Sequence, residues 1–507
     1  MGERLAETER KYEAAAPGAL VEFEGLPGVA EVRRPEADRL DAVYYDTADL
    51  ALATHRVTLR RRTGGQDEGW HLKLPTARPD TRTEVHAPLG SSTAKPPKAL
   101  RTEVAALVRA RPLGPVVRLR TVRRRTLLLD AAGLTLAEIA YDDVHADLRS
   151  GTGATPPQRW APGPAWAETE VELGPAGRGE LLDAVEERLL AAGLHRSRSA
   201  SKLAHALGDR LVQPPAPPAV PQTAGQTATA YLHAQLTALL SLDPAVRRAE
   251  EDAVHRMRVA TRRARSALKS FGRELDRQAT DPLGAELKWL AAALGLERDR
   301  EVLADRLAQR LAELPPALAA GAPRLRAPAG TTPGDAHTAL VRELDGARYF
   351  ALLDAWEALL AAPPYLRPAA DAPAPEAAAA TVRRDHARLR AAVESALALD
   401  AGEDRDTALH EARKDAKRAR YSSEAAEPVL GARASAHTTR MKTIQQLLGE
   451  HQDSYLCRTA LIPLRAEAVV AGEDPAPYDA MIHRERDLAT AVETELPAAW
   501  QAADQPV

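Results

Sequence analysis

The feature that most constrains this chain is a change of period. Up to about residue 208, charged and apolar residues alternate two by two between Gly- and Pro-bearing breaks, the spacing of a strand. Beyond about residue 225, Ala, Leu, Arg and Glu recur at helical spacing. Between them lies VQPPAPPAVPQTAGQ (Val212–Gln226), too rich in proline to sustain backbone hydrogen bonding and therefore a semi-rigid linker. The expected class is α+β and multidomain: a mostly β domain over 1–208, a linker over 209–224, and an all-α domain over 225–507. At 507 residues the chain exceeds what one core serves, so the division also follows from length.

Composition narrows the function class. The 68 Lys+Arg against 71 Asp+Glu leave a net charge of −3, so any polyanion or cation site has to come from local patterning. Cys457 is the only cysteine, which excludes an intrachain disulfide framework and a thiolate zinc cluster. The N-terminal MGERLAETERKYEA has no signal-like apolar stretch. No run of about 18 apolar residues occurs, so no membrane partner and a cytoplasmic location are expected.

Within the β part, Asp41–Asp46, Val57–Arg62, Trp70–Leu74, Val116–Leu129, Leu134–Asp142 and Glu168–Leu173 read as strands, and Gly179–Ala192 as a helix. Charged residues sit two apart on them. Glu7, Glu9 and Lys11 share one strand face, as do Arg60 with Arg62, Arg118 with Arg120, Glu138 with Asp142, and Glu168 with Glu170 and Glu172. One such strand is an ordinary solvated face. Five together describe a barrel whose interior has an acidic wall for hard cations and a basic wall for phosphate oxygens.

The helical part is duplicated. VHRMRVATRRARSAL (Val254–Leu268) aligns without gaps to LHEARKDAKRARYSS (Leu409–Ser423) at an offset of 410 − 255 = 155. The offset pairs His255 with His410, Arg258 with Arg413, Arg262 with Lys417, Arg263 with Arg418 and Arg265 with Arg420. LGLERD (Leu294–Asp299) likewise matches LGEHQD (Leu448–Asp453), both read as turns whose Asp299 and Asp453 cap or pair with the basic helices. Two related four-helix units, about 225–362 and 376–507, are the simplest account. Leu314–Pro333 and Ala362–Ala379 read as exposed loops. On a helix His255, Arg258, Arg262 and Arg265 form one stripe; His410, Arg413, Lys417 and Arg420 repeat it, with Arg263, Lys414 and Arg418 adjoining. Few acids accompany the stripes, so their natural partner is a polyanion.

These motifs resemble two families in series. Glu7-Thr8-Glu9-Arg10-Lys11 is similar to the ExExK signature of the CYTH family, the triphosphate tunnel metalloenzymes. In family order follow AVYYDT (Ala42–Thr47), LRRR (Leu59–Arg62), WHLKLP (Trp70–Pro75), RTE (Arg82–Glu84), RLRTVR (Arg118–Arg123), AEIAYD (Ala137–Asp142), ETEVEL (Glu168–Leu173) and SKL (Ser201–Leu203). The resemblance implies an eight-stranded antiparallel tunnel with Mg²⁺ or Mn²⁺ held by Glu7, Glu9, Glu170 and Glu172, with Glu138 and Asp142 nearby. It also implies triphosphate cradled by Lys11, Arg60, Arg62, Lys73, Arg82, Arg118, Arg120, Arg123 and Lys202. A register slip of one would exchange Arg123 for Arg124 or Arg125. HRMRVATRRAR and HEARKDAKRAR resemble the basic helices of the CHAD domain, which implies binding of inorganic polyphosphate, often at polyphosphate granules.

The expectation is a metal-dependent triphosphatase acting on tripolyphosphate or polyphosphate ends, with Glu7, Glu9 and Lys11 at its catalytic centre. The alternative is a non-catalytic polyphosphate-binding protein. Nucleic acid is disfavoured: aromatic content is 4%, leaving the stripes without stacking platforms. Nothing marks an adenine pocket for a cyclase.

Overall fold

A computed structural model describes residues 3–14, 21–76, 78–90, 95–149, 159–213, 216–325, 333–505 and 507. The chain divides into two compact units, Met1–Pro214 and Pro215–Val507.

The first unit contains strands β1 (Glu3–Ala14), β2 (Glu31–Arg33), β3 (Asp38–Asp46), β4 (Thr58–Thr63), β5 (Gly69–Pro75), β6 (Thr81–Ala87), β7 (Gly114–Leu129), β8 (Thr135–Arg149), β9 (Trp160–Leu173) and β10 (Leu194–Arg196). Helices α1 (Ala51–Thr54), α2 (Lys98–Glu103), α3 (Ala105–Val108), α4 (Gly179–Ala191) and α5 (Lys202–Leu207) complete it. Eight strands run antiparallel in the order β1-β6-β5-β4-β3-β7-β8-β9, and pairing of β1 with β9 closes them into a barrel; β2 and β10 add to β7 and β1. Strands β8 and β9 are longer than their sequence runs: β9 carries Pro162, Gly163 and Pro164, which read as breaks but pair with β8 across an irregularity at His145–Asp147.

Two apolar clusters hold the barrel, one on each face. Outside, Leu181, Leu182, Val185 and Leu189 of α4 pack on Tyr12, Leu128, Ile139 and Val171. Inside, Leu203, Ala206 and Leu207 of α5 pack on Ala42, Tyr44, Val117, Leu119 and Val144, so a short helix plugs one stretch of the lumen. Each fully buried leucine contributes about 1.5–3 kcal/mol, so the plug is held firmly. Ser201 caps α5 by accepting the Ala204 N–H at 3.0 Å. Asp46 pins the turn after β3, accepting the backbone N–H groups of Thr47, Leu52 and Ala53 at 2.7, 2.9 and 2.9 Å. That explains the Asp-Thr of AVYYDT as scaffold.

The second unit is all-α: α6 (Ala224–Arg247), α7 (Ala253–Ser270), α8 (Arg277–Ala293), α9 (Gly295–Glu313), α10 (Pro316–Ala320), α11 (Pro333–Leu344), α12 (Ala347–Ala361), α13 (Ala374–Leu397), α14 (Glu403–Leu430), α15 (Ala432–Val470) and α16 (Ala476–Ala503). The basic helices α7 and α14 pack on each other, as do α6 and α13, their predecessors in each half.

The second half is four long helices, α13 to α16. The first departs from that plan: α8 and α9 together stand where α15 is unbroken, and α10 to α12 are shorter pieces. LGEHQD is therefore not a turn but the middle of α15. Ala362–Ala379 is also more ordered than a loop. It forms bridges from Tyr365 to Leu275 and from Pro373 to Thr223, then enters α13, and the Tyr365 ring lies where any Cβ on Gly225 would collide at 2.6 Å. No helix among the described residues is long and apolar enough to cross a membrane.

Candidate functional site

Strand register decides which side chains enter the tunnel, because directly paired residues share a face. Glu7 pairs with Arg82, Glu9 with Glu172 and Lys11 with Glu170. Glu138 pairs with Glu172 and Asp142 with Glu168. Thr58 pairs with Lys73, Lys73 with Glu84, and Arg60 with both His71 and Tyr44. Asp38 pairs with Arg123, which pairs with Asp142. Acidic β8, β9 and β1 thus face basic β4, β5 and β6 across one lumen.

The lumen is dense with short ion pairs. Lys11 Nζ lies 2.8 Å from Glu170 and 3.4 Å from Glu9, and Lys73 Nζ lies 2.6 Å from Glu7 and 3.4 Å from Glu9. Arg123 donates to both oxygens of Asp142 at 2.8 and 2.7 Å and to Glu170 at 2.8 Å. Lys202, delivered by the α5 plug, reaches Asp142, Glu168 and Glu170 at 3.0, 2.8 and 2.6 Å. Arg82 approaches Glu9 at 3.8 Å, and Arg60 donates to the Tyr44 hydroxyl at 3.4 Å.

These contacts divide the acids into two groups. Burial pushes Glu9 up, but Lys11, Lys73 and Lys202 outweigh it and hold the carboxyl at about 2. Asp142 and Glu170 are likewise drawn below the ordinary carboxylate range by Lys202, Lys11 and Arg123 against the cost of burial. Glu172 goes the other way, pushed up to about 8 by burial and by Glu7, Glu9 and Glu138, with Lys73 opposing. Glu7 is raised too, mainly by burial. Its second oxygen is buried without a hydrogen-bond partner among the described residues. The Glu7–Glu172 side of the lumen is therefore short of positive charge.

Two expected ligands lie elsewhere. Arg118 and Arg120 face outward, where Arg118 grips Asp41 with its Nε at 3.0 Å and Arg120 meets Asp147 at 2.8 Å. The odd-numbered side of β7 faces in, and there Val117 and Leu119 meet the α5 plug before Arg123 and Arg125 reach the charged stretch. Arg125 lies 3.0 Å from Asp38 and 3.7 Å from Glu138, whereas Arg124 points out to Asp143. Arg62 enters the lumen wall and pairs with Asp67; burial beside Arg60 and Arg123 lowers it to about 9. The alternation missed Glu84, which accepts from His71 at 2.8 Å and faces Lys73, although Arg82-Thr83-Glu84 has the same two-residue spacing.

In the helical unit the basic residues separate by partner. Arg263 of α7 pairs with Glu424 of α14 and Arg418 of α14 with Asp385 of α13, both at 2.9 Å, so these two fasten helices together; Arg420 pairs with Glu424 on its own helix at 2.9 Å and donates to Gln445 of α15 at 3.3 Å. Lys414 is exposed and pairs with Glu411 on its own helix. Arg258, Arg262, Arg413 and Lys417 converge. Lys417 is pressed down to about 6 by burial and by Arg262, Arg413 and Arg258, with Asp453 opposing. His410 is lowered by burial and Lys414 while held by Gln452.

The duplicated glycines explain how the outer arginines are seated. A Cβ on Gly295 would lie 3.1 Å from the Arg258 guanidinium, and one on Gly449 would lie 3.3 Å from that of Arg413. Each guanidinium lies against a helix glycine at the matching position of the two halves. Asp453 reaches Arg413 at 3.9 Å, as the salt-bridge expectation has it; the Asp299 side chain lies outside the described residues. A separate group, Asp406, His451 and Glu493, is an ion network joining α14, α15 and α16, with its carboxylates held by Arg458 at 3.2 Å and Arg405 at 3.3 Å.

An antiparallel tunnel of facing acidic and basic walls, followed by a duplicated helical unit with converging arginines, defines a class. The chain belongs to the family in which a CYTH domain, matched over residues 5–207, precedes a CHAD domain, matched over 230–461. An uncharacterised protein of Mycobacterium tuberculosis is 39% identical over 526 residues, covering 99% of this chain and 97% of its own. Among solved structures, PptA from Streptomyces chartreusis is 23% identical with a TM-score of 0.44, covering 55% of this chain and 100% of its own. The CHAD domain from the plant Ricinus communis is 24% identical with a TM-score of 0.46, covering 58% and 97%. HpAC1 from Hippeastrum, with a dominant triphosphatase activity, is 15% identical with a TM-score of 0.24, covering 41% and 97%.

Proposed function

We propose that this chain hydrolyses tripolyphosphate or the ends of short polyphosphate in its tunnel, with Mg²⁺ or Mn²⁺, and grips longer polyphosphate on α7 and α14. One observation carries the catalytic reading: carboxylates at Glu7, Glu9, Glu138 and Glu172 stand opposite a basic row in the same lumen, and at Glu7 and Glu172 the nearby cations do not offset desolvation and mutual repulsion. All its donors are carboxylate oxygens, the set that hard divalent cations take, and the orphaned Glu7 oxygen and the crowding of Glu172 by Glu7, Glu9 and Glu138 fit a position that a cation completes. Asp142, Glu168 and Glu170 also lie close enough to share a metal, with Lys202 now seated among them. A bound divalent cation would neutralise phosphate charge and lower the pKa of a coordinated water.

The protein's own residues would do the rest. Arg60, Lys73 and Arg82 hold phosphate oxygens on the basic wall, and Lys11 and Lys202 bridge toward the acids. The α5 plug narrows the lumen and limits water. Positioning and fixed charge supply most of the rate in such chemistry. In the helical unit, Arg258, Arg262, Arg413 and Lys417 gather basic groups in one place, which supports polyanion binding and a place at polyphosphate granules.

Phosphate release from tripolyphosphate with Mg²⁺ and Mn²⁺ tests the enzyme reading. Glu9→Gln is expected to lower turnover by about 100-fold or more, and Arg258→Ala/Arg413→Ala to leave it within a few-fold. No release by wild type with either metal, alongside arginine-dependent polyphosphate binding, overturns it in favour of a binding protein.

A further inference from the structure

A buried chain of polar side chains that neither the tunnel nor the basic stripes use ties down the end of α16. Ser423 of α14, His437 of α15 and His386 of α13 are all buried, and Asp504, just past α16, closes the chain with its side chain 25% exposed. Four contacts link them. Ser423 Oγ lies 2.8 Å from the Ala419 carbonyl and 2.7 Å from His437 Nδ1. His437 Nε2 lies 3.0 Å from His386 Nδ1, and His386 Nε2 lies 2.7 Å from Asp504 Oδ1. Trp500 of α16 stacks on the His386 ring, with centroids 5.7 Å apart.

Each contact needs one hydrogen, and both ends of the chain, a backbone carbonyl and a carboxylate, only accept. A hydroxyl and two neutral imidazoles bring three hydrogens to four contacts. With three, Ser423 turns its hydrogen to His437 and faces the Ala419 carbonyl at 2.8 Å with none between them. With a fourth, every contact is filled: Ser423 donates to Ala419, His437 Nδ1–H to Ser423, His386 Nδ1–H to His437 Nε2, and His386 Nε2–H to Asp504. The surrounding charges decide where that hydrogen sits. Burial pushes Asp504 up, but Arg390 of α13, which donates to the same Oδ1 at 2.9 and 2.6 Å, outweighs it together with His386 and keeps the group a carboxylate. Burial, His386 and Arg440 of α15 push His437 down to about 3, so that ring is neutral. His386 remains. Arg390 and Arg440 oppose a charge there and Asp504 favours it, while two neighbouring acids are engaged elsewhere, Asp385 by Ser270 and Arg418 and Glu424 by Arg263 and Arg420.

We infer that His386 is held as an imidazolium and acts as a latch: the Asp504 end of α16 stays docked on α13 while the ring carries both protons, and loosens as pH rises and one is lost. When that happens one proton goes to water, the hydrogens of the His386–His437 and His437–Ser423 bonds reverse direction, and the contact with Ala419 is left unfilled. Docking of the α16 end takes the proton up again. The latch therefore tightens as pH falls and slackens as pH rises.

Two measurements on the full chain test this. Nitrogen-15 spectra of the histidine rings, assigned with His386→Gln and His437→Gln, count the protons on each ring. Should either glutamine variant fail to fold, the ring resonance that moves in Asp504→Asn identifies His386. Hydrogen exchange of the amides of residues 496–503 at the end of α16, corrected for the intrinsic rate at each pH, follows the latch from pH 6 to 9. At pH 6 wild type is expected to show both His386 nitrogens protonated and His437 neutral with its proton on Nδ1. Protection of residues 496–503 is expected to fall by up to about tenfold per pH unit as His386 titrates. Asp504→Asn, a change at the most exposed member of the chain, is expected to lower that protection at pH 6 and to remove its pH dependence. A single proton on His386 at pH 6, with Nδ1 bare, overturns the proposal. So does wild-type protection that ignores pH, or a pH dependence that survives in Asp504→Asn.

Discussion

The two units solve the problem of gathering positive charge in opposite ways. In the tunnel Lys11, Lys73, Arg123 and Lys202 each have carboxylates within about hydrogen-bond reach, and the surplus charge is negative, concentrated on Glu7 and Glu172. In the helical unit Glu424 and Asp385 are taken by Arg263, Arg420 and Arg418, and basic groups gather around Lys417, which they help drive down to about 6. On the proposed function, a phosphate chain entering the tunnel would need a cation first, whereas the helical face would need only the anion, so that charge compensation rather than the number of basic residues would separate the two sites.

Substitutions at the two kinds of arginine on β7 should sharpen this most. Arg123→Ala removes the partner of buried Asp142 and Glu170 and is expected to cost about 3–5 kcal/mol in chemical denaturation. Arg120→Ala, whose side chain is 57% exposed, is expected to change stability by less than about 1 kcal/mol. Equal effects would mean that both arginines face the same way.

A pH series probes the tunnel's deficit. Glu172 is raised from the ordinary 4.5 to about 8, so its proton stabilises the metal-free fold fully below 4.5, and that stabilisation is lost as pH rises through about 8. A metal that must displace this proton is expected to bind up to about tenfold more tightly per pH unit below about 8 and to level off above it. Titration of Mn²⁺ followed by its paramagnetic signal checks this, and Glu172→Gln should flatten the profile.

The smallest expected effect is at Gly449. Replacing it with Ala in the middle of α15 should raise stability by about 0.5–1 kcal/mol through helix propensity, while a Cβ 3.3 Å from Arg413 shifts the guanidinium and weakens polyphosphate binding a few-fold. A higher melting temperature with weaker binding would show that the glycine serves the arginine's placement.

Much of the tunnel was legible because strand charges two apart have few other uses. Glu7, Glu9, Lys11, Asp142, Glu170 and Glu172 enter the lumen as their spacing implies. The β7 arginines were not legible, for a definite reason. Arginine occurs at both parities there, and the usual rule that apolar residues mark the outside of a charged barrel fails where Val117 and Leu119 face the apolar α5 plug. The two-residue spacing of Arg118 and Arg120 therefore holds, but on the outer face.

In the helical unit the duplication exposed both stripes, and Glu424, four residues after Arg420, was a local sign that this arginine is paired. Asp385, which takes Arg418, comes from another helix and has no local signature. The glycine seats were visible as LGLERD and LGEHQD. Their meaning as bare backbone beneath an arginine needed the helices to be placed.

The most direct test of the contrast compares binding with and without metal. Wild type and Arg258→Ala/Arg413→Ala would be titrated with long-chain polyphosphate and with tripolyphosphate, first in EDTA and then in Mg²⁺. The account predicts that wild type binds the long chain in EDTA, that the double variant loses this by about 100-fold or more, and that tripolyphosphate binding in both depends on Mg²⁺. Wild-type affinity for the long chain in the double variant, or tripolyphosphate binding indifferent to metal, would contradict it.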